Sequence, residues 1–356
     1  MMLLSKYIIK KSIANIFILL FIVVIIIFVF NIMNEINDLK AGSYTIFNML
    51  FYITLLIPSY LYTILPIAIL IGCNITTFSL VKSSEYVVII SSGLPKTFII
   101  RNMFLLTFIM AILTFIIGNY IIPHSENFAN LYKAQHISHN NSQNYLWIKE
   151  NENRIVKIEE LEISTNNAHE EINLKNVDIF EYNNKDLLKY IHADYGTYMK
   201  NEFILKNANL YNYSTHNLQP QSAKTLTIKT TITDKYLLNT NDSQEMSIDQ
   251  LINFISYLKH SKQNSTKQEI TLYSKLIYPI FCIIMGIVAI LFVPYSSRHS
   301  SGAFSMALNI IIGFLIFFIN KFAQYIAIYF GLPKTSSVII LVVSIIITSL
   351  IAIFKK

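Results

Sequence analysis

Lys82-Ser-Ser-Glu-Tyr-Val-Val-Ile-Ile-Ser-Ser-Gly-Leu-Pro-Lys96 is a short, interrupted stretch held between two long apolar runs. Ser83 or Ser84 is placed to cap a helix start. Glu85 then falls in the first turn, where a carboxylate favours the exposed N–H groups. Gly93 suits a helix end, and Pro95 stops the helix from running on. The stretch therefore predicts about two turns of helix lying outside a bilayer, not a failed membrane span. A carboxylate on a rigid, protruding helix suits a basic or polar socket on another protein. The alternative is that Glu85 only stabilises its own helix N-terminus.

The flanking runs set the class. The 356 residues are 53% hydrophobic and 14% charged, with a formal net charge of +7 and a mean hydropathy of +0.47. Several runs exceed the ~18 apolar residues that mark a membrane span. Residues 123–270 carry 15 Lys/Arg against 18 Asp/Glu, a net −3, whereas the remainder carries 13 against 3, a net +10. The two parts therefore occupy different surroundings. The basic excess flanks apolar spans, so it speaks to membrane orientation and not to nucleic acid. Cys73 and Cys282 both sit in apolar runs, which leaves neither a disulfide framework nor a Cys-based metal site. The first apolar run, Ile13–Met33, is too long for a cleavable signal and lacks a small-residue cleavage site.

Six spans are predicted, over Ile13–Met33, Met49–Phe78, Thr97–Ile122, Leu272–Val293, Ala303–Phe330 and Ser336–Phe354. Pro58 and Pro66 fall inside the second, where a membrane helix tolerates a kink. Nine Lys/Arg flank one side (Lys6, Lys10, Lys11, Lys82, Lys96, Arg101, Arg298, Lys355, Lys356) and four the other (Lys40, Lys275, Lys321, Lys334). The positive-inside rule then places both termini and Glu85 in the cytoplasm, with Glu85 the sole carboxylate there. The expected organisation is three spans over 1–122 with a cytoplasmic helix near 83–92, an external domain over 123–271, and three spans over 272–356.

The middle region is rich in Asn, Lys, Glu, Thr and Tyr. His124–His139 extends the third helix outward. Strand patterns follow at Tyr145–Ile148, Arg154–Ile158, Val177–Tyr182, Tyr190–Tyr198, Glu202–Leu205, Asn209–Tyr213 and Thr225–Thr233, separated by turn clusters. Short strands without intervening helices imply an all-β sandwich, jelly roll or barrel. Ser247–Lys259 reads as an amphipathic helix with Ile248, Leu251, Ile252, Ile255 and Leu258 on one face. The fold class is thus a polytopic α-helical membrane protein with an inserted, jelly-roll-like β domain.

Catalytic patterns are missing. Gly93-Leu-Pro-Lys96 and Gly331-Leu-Pro-Lys334 lack the leading glycine and hydroxyl of a phosphate loop, so they read as helix stops. His136 and His139 have no third ligand nearby, and a surface pair is the simpler reading. No nucleophile elbow or zinc-protease motif occurs, and no cofactor is expected. In the membrane half only Glu35, Asp38 and Glu85 are acidic, none deep in a span, which argues against a proton-coupled carrier. Lys40 ends the first span. Lys321 lies ~14 Å inside the fifth at 1.5 Å per residue. Two readings stay open for these lysines: snorkelling to headgroups, or contact with the phosphates of a lipid substrate.

Three features together carry a resemblance: the three-plus-three spans, the β-rich insert, and Ser84-Glu85-Tyr-Val-Val-Ile-Ile-Ser-Ser-Gly93 after the second span. Supporting matches are Leu65-Pro66 with Gly72, Ile121-Ile122-Pro123, Tyr145-Leu-Trp147 with Arg154-Ile-Val156, Tyr257-Leu-Lys259, Ser274-Lys275 with Pro279, and Tyr329-Phe-Gly331-Leu-Pro333. Over essentially its whole length the chain resembles the permease subunits of the lipopolysaccharide-export ABC transporter, the LptF/LptG family, and is more similar to the LptG branch. The resemblance implies a non-catalytic inner-membrane subunit paired with a second, LptF-like permease. It implies that Ser84, Glu85, Tyr86 and Gly93 couple to a cytoplasmic LptB-like ATPase dimer. It further implies extraction of lipopolysaccharide into a cavity open to the outer leaflet and transfer to a periplasmic LptC-like jelly-roll bridge, with Lys40 and Lys321 as phosphate contacts. The LptG branch often carries more than one basic residue at the outer part of the first span, where this chain has Lys40 alone. A membrane-anchored envelope assembly protein, binding partners through its β domain, is the competing class. Six spans and a coupling-like helix are more than an anchor requires.

Overall fold

The structure, a computed structural model, describes residues 2–40, 44–95, 97–136, 146–166, 169–183, 186–199, 201–213, 221–230, 232, 243, 245–291 and 301–331. The sixth expected span, Ser336–Phe354, lies outside the described residues, as do His139 and Lys334. The chain divides into two compact units. One comprises residues 1–138, 243–253 and 266–356, and the other residues 139–242 and 254–265.

The first unit is helical. Its elements are α1 (Met2–Glu35), a 3-10 turn (Ile36–Lys40), α2 (Ile46–Lys82), α3 (Glu85–Ser91), α4 (Thr97–Ile116), a π turn (Ile117–Ile121), α5 (Ile122–His136), the first part of α6 (Ile248–His260), α7 (Thr266–Leu291) and α8 (Ser301–Tyr329). Among the described residues five helices are long and apolar enough to cross a membrane. The fold is the expected one: several membrane-spanning helices with a β unit inserted in the middle.

Small residues let these helices approach closely, as membrane packing requires. A Cβ at Gly72 of α2 would lie 2.4 Å from Ile16 Cγ1 and 2.9 Å from the Ile16 backbone, so α1 and α2 touch main chain to side chain there. Asn15 donates to Thr76 Oγ1 at 2.8 Å, and the Ser12 hydroxyl lies 3.4 Å from Met103 Sδ of α4. Leu65, Ile69, Leu70, Met103, Leu106, Phe281 and Met285 fill the shared core. Helix α2 runs through Pro58 and Pro66 unbroken. Outside donors reach carbonyls beside both prolines: Ser125 bonds Leu55 O, and the Tyr278 hydroxyl bonds Thr63 O at 2.9 Å.

The second unit holds one antiparallel sheet in the order β1 (Leu146–Asn151), β2 (Arg154–Asn166), β3 (His169–Asn183), β4 (Asp186–Met199), β5 (Glu202–Asn212), β6 (Gln221–Lys229). Its buried face is built by Ile148, Val156, Ile158, Leu174, Val177, Ile179, Ile191, Phe203 and Leu205. Strict alternation would bury every second residue. Instead the inward positions skip from Leu161 to Ile158, Leu174 to Val177, Gly196 to Ala193 and Leu205 to Ala208, all on neighbouring rows of the ladder. Asn176 and Asn207, at φ 50° and 53°, mark the break. The alternation therefore breaks along one line crossing four strands, where the strands bend.

The outer edge of β1 is closed by side chains. Tyr257 and Gln263 donate to Lys149 O at 2.9 and 2.7 Å, and Ser261 donates to Glu150 O at 2.8 Å. On the opposite face Asp178 accepts from His192 Nδ1 at 2.7 Å, Tyr190 Oη at 2.8 Å and Lys157 Nζ at 3.2 Å. Burial pushes the Asp178 carboxyl up, but these three donors outweigh it and hold its pKa below the ordinary 3.8.

Candidate functional site

The segment between α2 and α4 forms the short helix expected of it. Helix α2 stops at Lys82, and Ser84 takes up a left-handed conformation at φ 60°, turning the chain into α3. The Ser84 side chain makes no capping bond. An N-cap hydroxyl reaches the second or third N–H from an extended backbone, and a left-handed residue does not present it that way. The Ser83 hydroxyl instead donates to Ser79 O at 2.8 Å and to Glu85 Oε1 at 2.9 Å. At the other end Gly93 adopts φ 86°, a backbone that favours glycine, and its N–H bonds Ile90 O at 3.0 Å.

Helix α3 is two-faced. Tyr86 and Ile89 are buried in the helical core, whereas Val87 and Val88 are 50% and 64% exposed. Two adjacent valines facing outward on a fixed helix make a small apolar knob beside a carboxylate. The Glu85 side chain is half-buried and receives Lys11 Nζ of α1 at 3.3 Å. Lys11 also meets the Tyr7 hydroxyl at 3.3 Å and lies 5.4 Å from that ring. Partial burial pushes the Glu85 carboxyl up. The Ser83 and Tyr7 hydroxyls and the Lys11 ammonium outweigh this and hold its pKa below the ordinary 4.5. Glu85 is therefore anionic at neutral pH. Its partner comes from 74 residues earlier, and sequence reasoning had assigned Lys11 to membrane orientation alone.

At the far end of α1, Lys133 of α5 bridges Glu35 at 2.7 Å and Asp38 at 3.0 Å, which accounts for both acids of that loop. The side chain of Lys40, the last residue of the 3-10 turn, lies outside the described part of the structure. Lys321 of α8 sits over the Tyr278 ring at 5.1 Å, and Tyr278 stacks on Tyr62 at 4.5 Å. A lysine over an aromatic face uses only part of its ammonium's three donors there, so the rest can meet an anion. Lys321 thus meets the Tyr278 ring of α7 and not the Glu85 segment.

Sequence reasoning missed one polar knot. Lys275 of α7 is 9% exposed, and its ammonium bonds Met246 O and approaches Gly118 O at 3.4 Å inside the π turn. Asn119 Oδ1 accepts the Ile248 N–H at 2.8 Å, capping α6. Gly118, Asn119, Ile248 and Lys275, with Tyr62, line a small cleft of about 10 Å³, room for about one water and not for a lipid. Two helices are the least covered. Only 11% of the first span's most apolar window is buried, and 22% of that in α8, against 67% in α2. Phe17, Phe21, Phe30 and Met33 of α1, with Phe304, Phe318 and Phe322 of α8, all face outward. Among the described residues no cluster of His, Cys, Asp or Glu is arranged to hold a metal.

Residues 6–355 match the profile of the family described as lipopolysaccharide export system permease LptF/LptG. The chain is 24% identical over 344 residues to the lipopolysaccharide export system permease protein LptG of Haemophilus influenzae, covering 93% of this chain and 92% of that protein. It is also 24% identical over 361 residues to the protein of the same name from Escherichia coli K12, covering 99% and 98%.

Proposed function

This chain belongs to the lipopolysaccharide export permease LptF/LptG family, and we propose that it is a non-catalytic permease subunit of an inner-membrane ABC transporter. It pairs with a second, LptF-like permease above an LptB-like ATPase dimer. Both termini and α3 face the cytoplasm, and the β unit stands in the periplasm, as the charge bias of the short loops favours. The division into membrane halves over 1–122 and 272–356 and a periplasmic domain over 123–271 belongs to the same reading.

The observation that carries this is α3 itself. A helix of seven residues lies between two long apolar helices, with an anionic Glu85 and an apolar Val87–Val88 knob at its surface. ATP-driven closure of the ATPase dimer seats this helix in a socket, with Ser84 and Gly93 turning the chain at its ends and Tyr86 anchoring it in the core. The motion closes a cavity that opens sideways to the outer leaflet, bounded by the poorly covered α1 of one permease and α8 of the other. Lipopolysaccharide fits that setting, since its acyl chains need an apolar cleft and its phosphates need cations. Lys40 and Lys321 supply that charge, and the lipid passes to an LptC-like jelly-roll bridge.

The test is co-purification of the full chain with candidate ATPases, followed by lipid-stimulated ATP hydrolysis for the wild type and Glu85→Ala. Loss of the ATPase and of lipid-stimulated turnover is expected. Normal recovery of both would remove the coupling role.

A further inference from the structure

We infer that Lys11 is the positioning residue of the coupling helix: it clamps α3 to α1, so that a push on α3 moves α1 and α2 together. This rests on the coupling role proposed above. Helix α3 has two ends joined to the chain by left-handed residues, Ser84 at φ 60° and Gly93 at φ 86°. Both links are exposed loops of the kind that absorb rotation between helices. Buried Tyr86 and Ile89 hold one face of α3 in the helical core, which opposes separation. Swivelling is opposed at Glu85, which Ser83 bonds from the link itself and which Lys11, 74 residues away and with the Tyr7 hydroxyl beside it, ties to α1.

The cation is well placed for this. Lys82 is nearer in sequence but exposed to solvent. Lys11 is fixed by Tyr7 one turn before it on α1. The residues that follow Lys11 are held on two sides: Ser12 against Met103, Asn15 against Thr76, and Ile16 against Gly72. Glu85 thus grips the first helix next to a stretch that is braced against both α2 and α4. A half-exposed ion pair adds little to folding, so its consequence lies in the orientation of α3. Without it, the Ser84 link yields and α3 turns under load.

Two measurements test the clamp. In the full purified chain, spin labels at Val88 and Phe17, both on exposed positions, report the α3–α1 distance distribution. Lys11→Met broadens it, and Lys11→Arg, which keeps the ion pair, restores it. With the co-purifying ATPase in lipopolysaccharide-containing nanodiscs, Lys11→Met still binds the ATPase, while lipid extracted per ATP falls about two- to fivefold, the range a half-exposed ion pair supplies; Lys11→Arg recovers it. An unchanged distribution overturns the clamp. So does a broadened one with unchanged extraction per ATP, and loss of the ATPase would make Lys11 a docking contact instead. If the wild-type chain retains no ATPase at all, the coupling role fails and the clamp, as a device for transmitting its stroke, fails with it; the distance measurement still separates the two faults.

Discussion

Replacing Gly72 by alanine tests how closely α1 and α2 approach. The added Cβ would lie 2.4 Å from Ile16 Cγ1, and 2.9 Å from both Ile16 Cα and Ile16 N. Carbon atoms prefer about 3.5–4.0 Å. The Cγ1 contact is removable by a rotamer change, but the backbone contacts are not. Helix α1 must retreat by roughly 0.5–1 Å, and overpacking of this kind costs about 1–3 kcal/mol. For a helical unit of this size that is a fall in thermal midpoint of about 2–12 °C. The assay is built into the chain: Cys73 and Cys282 are both free and buried, and both lie in the helical unit, so a thiol-reactive fluorophore reports its unfolding alone. Ile16→Ala added to Gly72→Ala clears Cγ1 yet leaves the backbone clash, so recovery is partial. Gly313 provides the contrast. The three atoms nearest a Cβ there are all in the Leu70 side chain, at 2.1, 2.7 and 2.9 Å, and Leu70→Ala removes those contacts from Gly313→Ala. Full rescue of Gly72→Ala by Ile16→Ala, or no effect of Gly72→Ala, would refute the reasoning.

Two further predictions concern buried polar groups. Lys275→Met deprives Met246 O of its side-chain donor and should lower helical-unit stability by about 1–3 kcal/mol, with faster hydrogen exchange across Ile117–Ile121; unchanged exchange there would show that the knot does not hold the π turn. Asp178→Asn removes a carboxylate bonded to three donors and should destabilise the sheet by about 1–3 kcal/mol at neutral pH, read from the fluorescence of Trp147, the sole tryptophan. The Asp178 pKa is lowered on folding, so its stabilisation is complete above the ordinary 3.8 and lost as pH falls through the lower folded value. The gap between wild type and Asp178→Asn should accordingly close in strong acid, and a gap independent of pH would contradict the assigned charge.

Much of the fold was legible because membrane spans announce themselves by length. The observed helices differ from the expected runs mainly in extending past the apolar core: α2 reaches from Ile46 to Lys82 instead of Met49 to Phe78, and α7 starts at Thr266 instead of Leu272. Polar ends continue a helix at no cost once they leave the bilayer. The β insert was legible in kind but not in count. Glu202–Leu205 and Asn209–Tyr213 read as two strands, yet β5 runs unbroken from Glu202 to Asn212. The bend line crosses it at Lys206–Asn207, where two successive exposed residues break the alternation that identifies a strand. The short helix α3 was readable from Glu85 and Gly93, because helix-start and stop residues act locally. Its ion pair with Lys11 was not, since nothing local relates positions 74 apart. Lys275 was counted among the outer cations for the same reason: its carbonyl partners are set by helix packing.

The π turn at Ile117–Ile121 has a bearing on how this chain tolerates change in length. A turn closed by bonds to the fifth residue holds one residue more than an α turn. Deleting a single residue there returns the spiral to α and leaves everything beyond on its present bearing, because the wide turn already absorbs the extra residue's roughly 100°. Tyr132 would then stay by Asn48, now 3.0 Å away, and Lys133 by Glu35. The bulge behaves as a slack turn, holding one surplus residue without changing the compass bearing of α5 relative to α4. Length changes elsewhere along that helix should be accepted only where they come in whole turns.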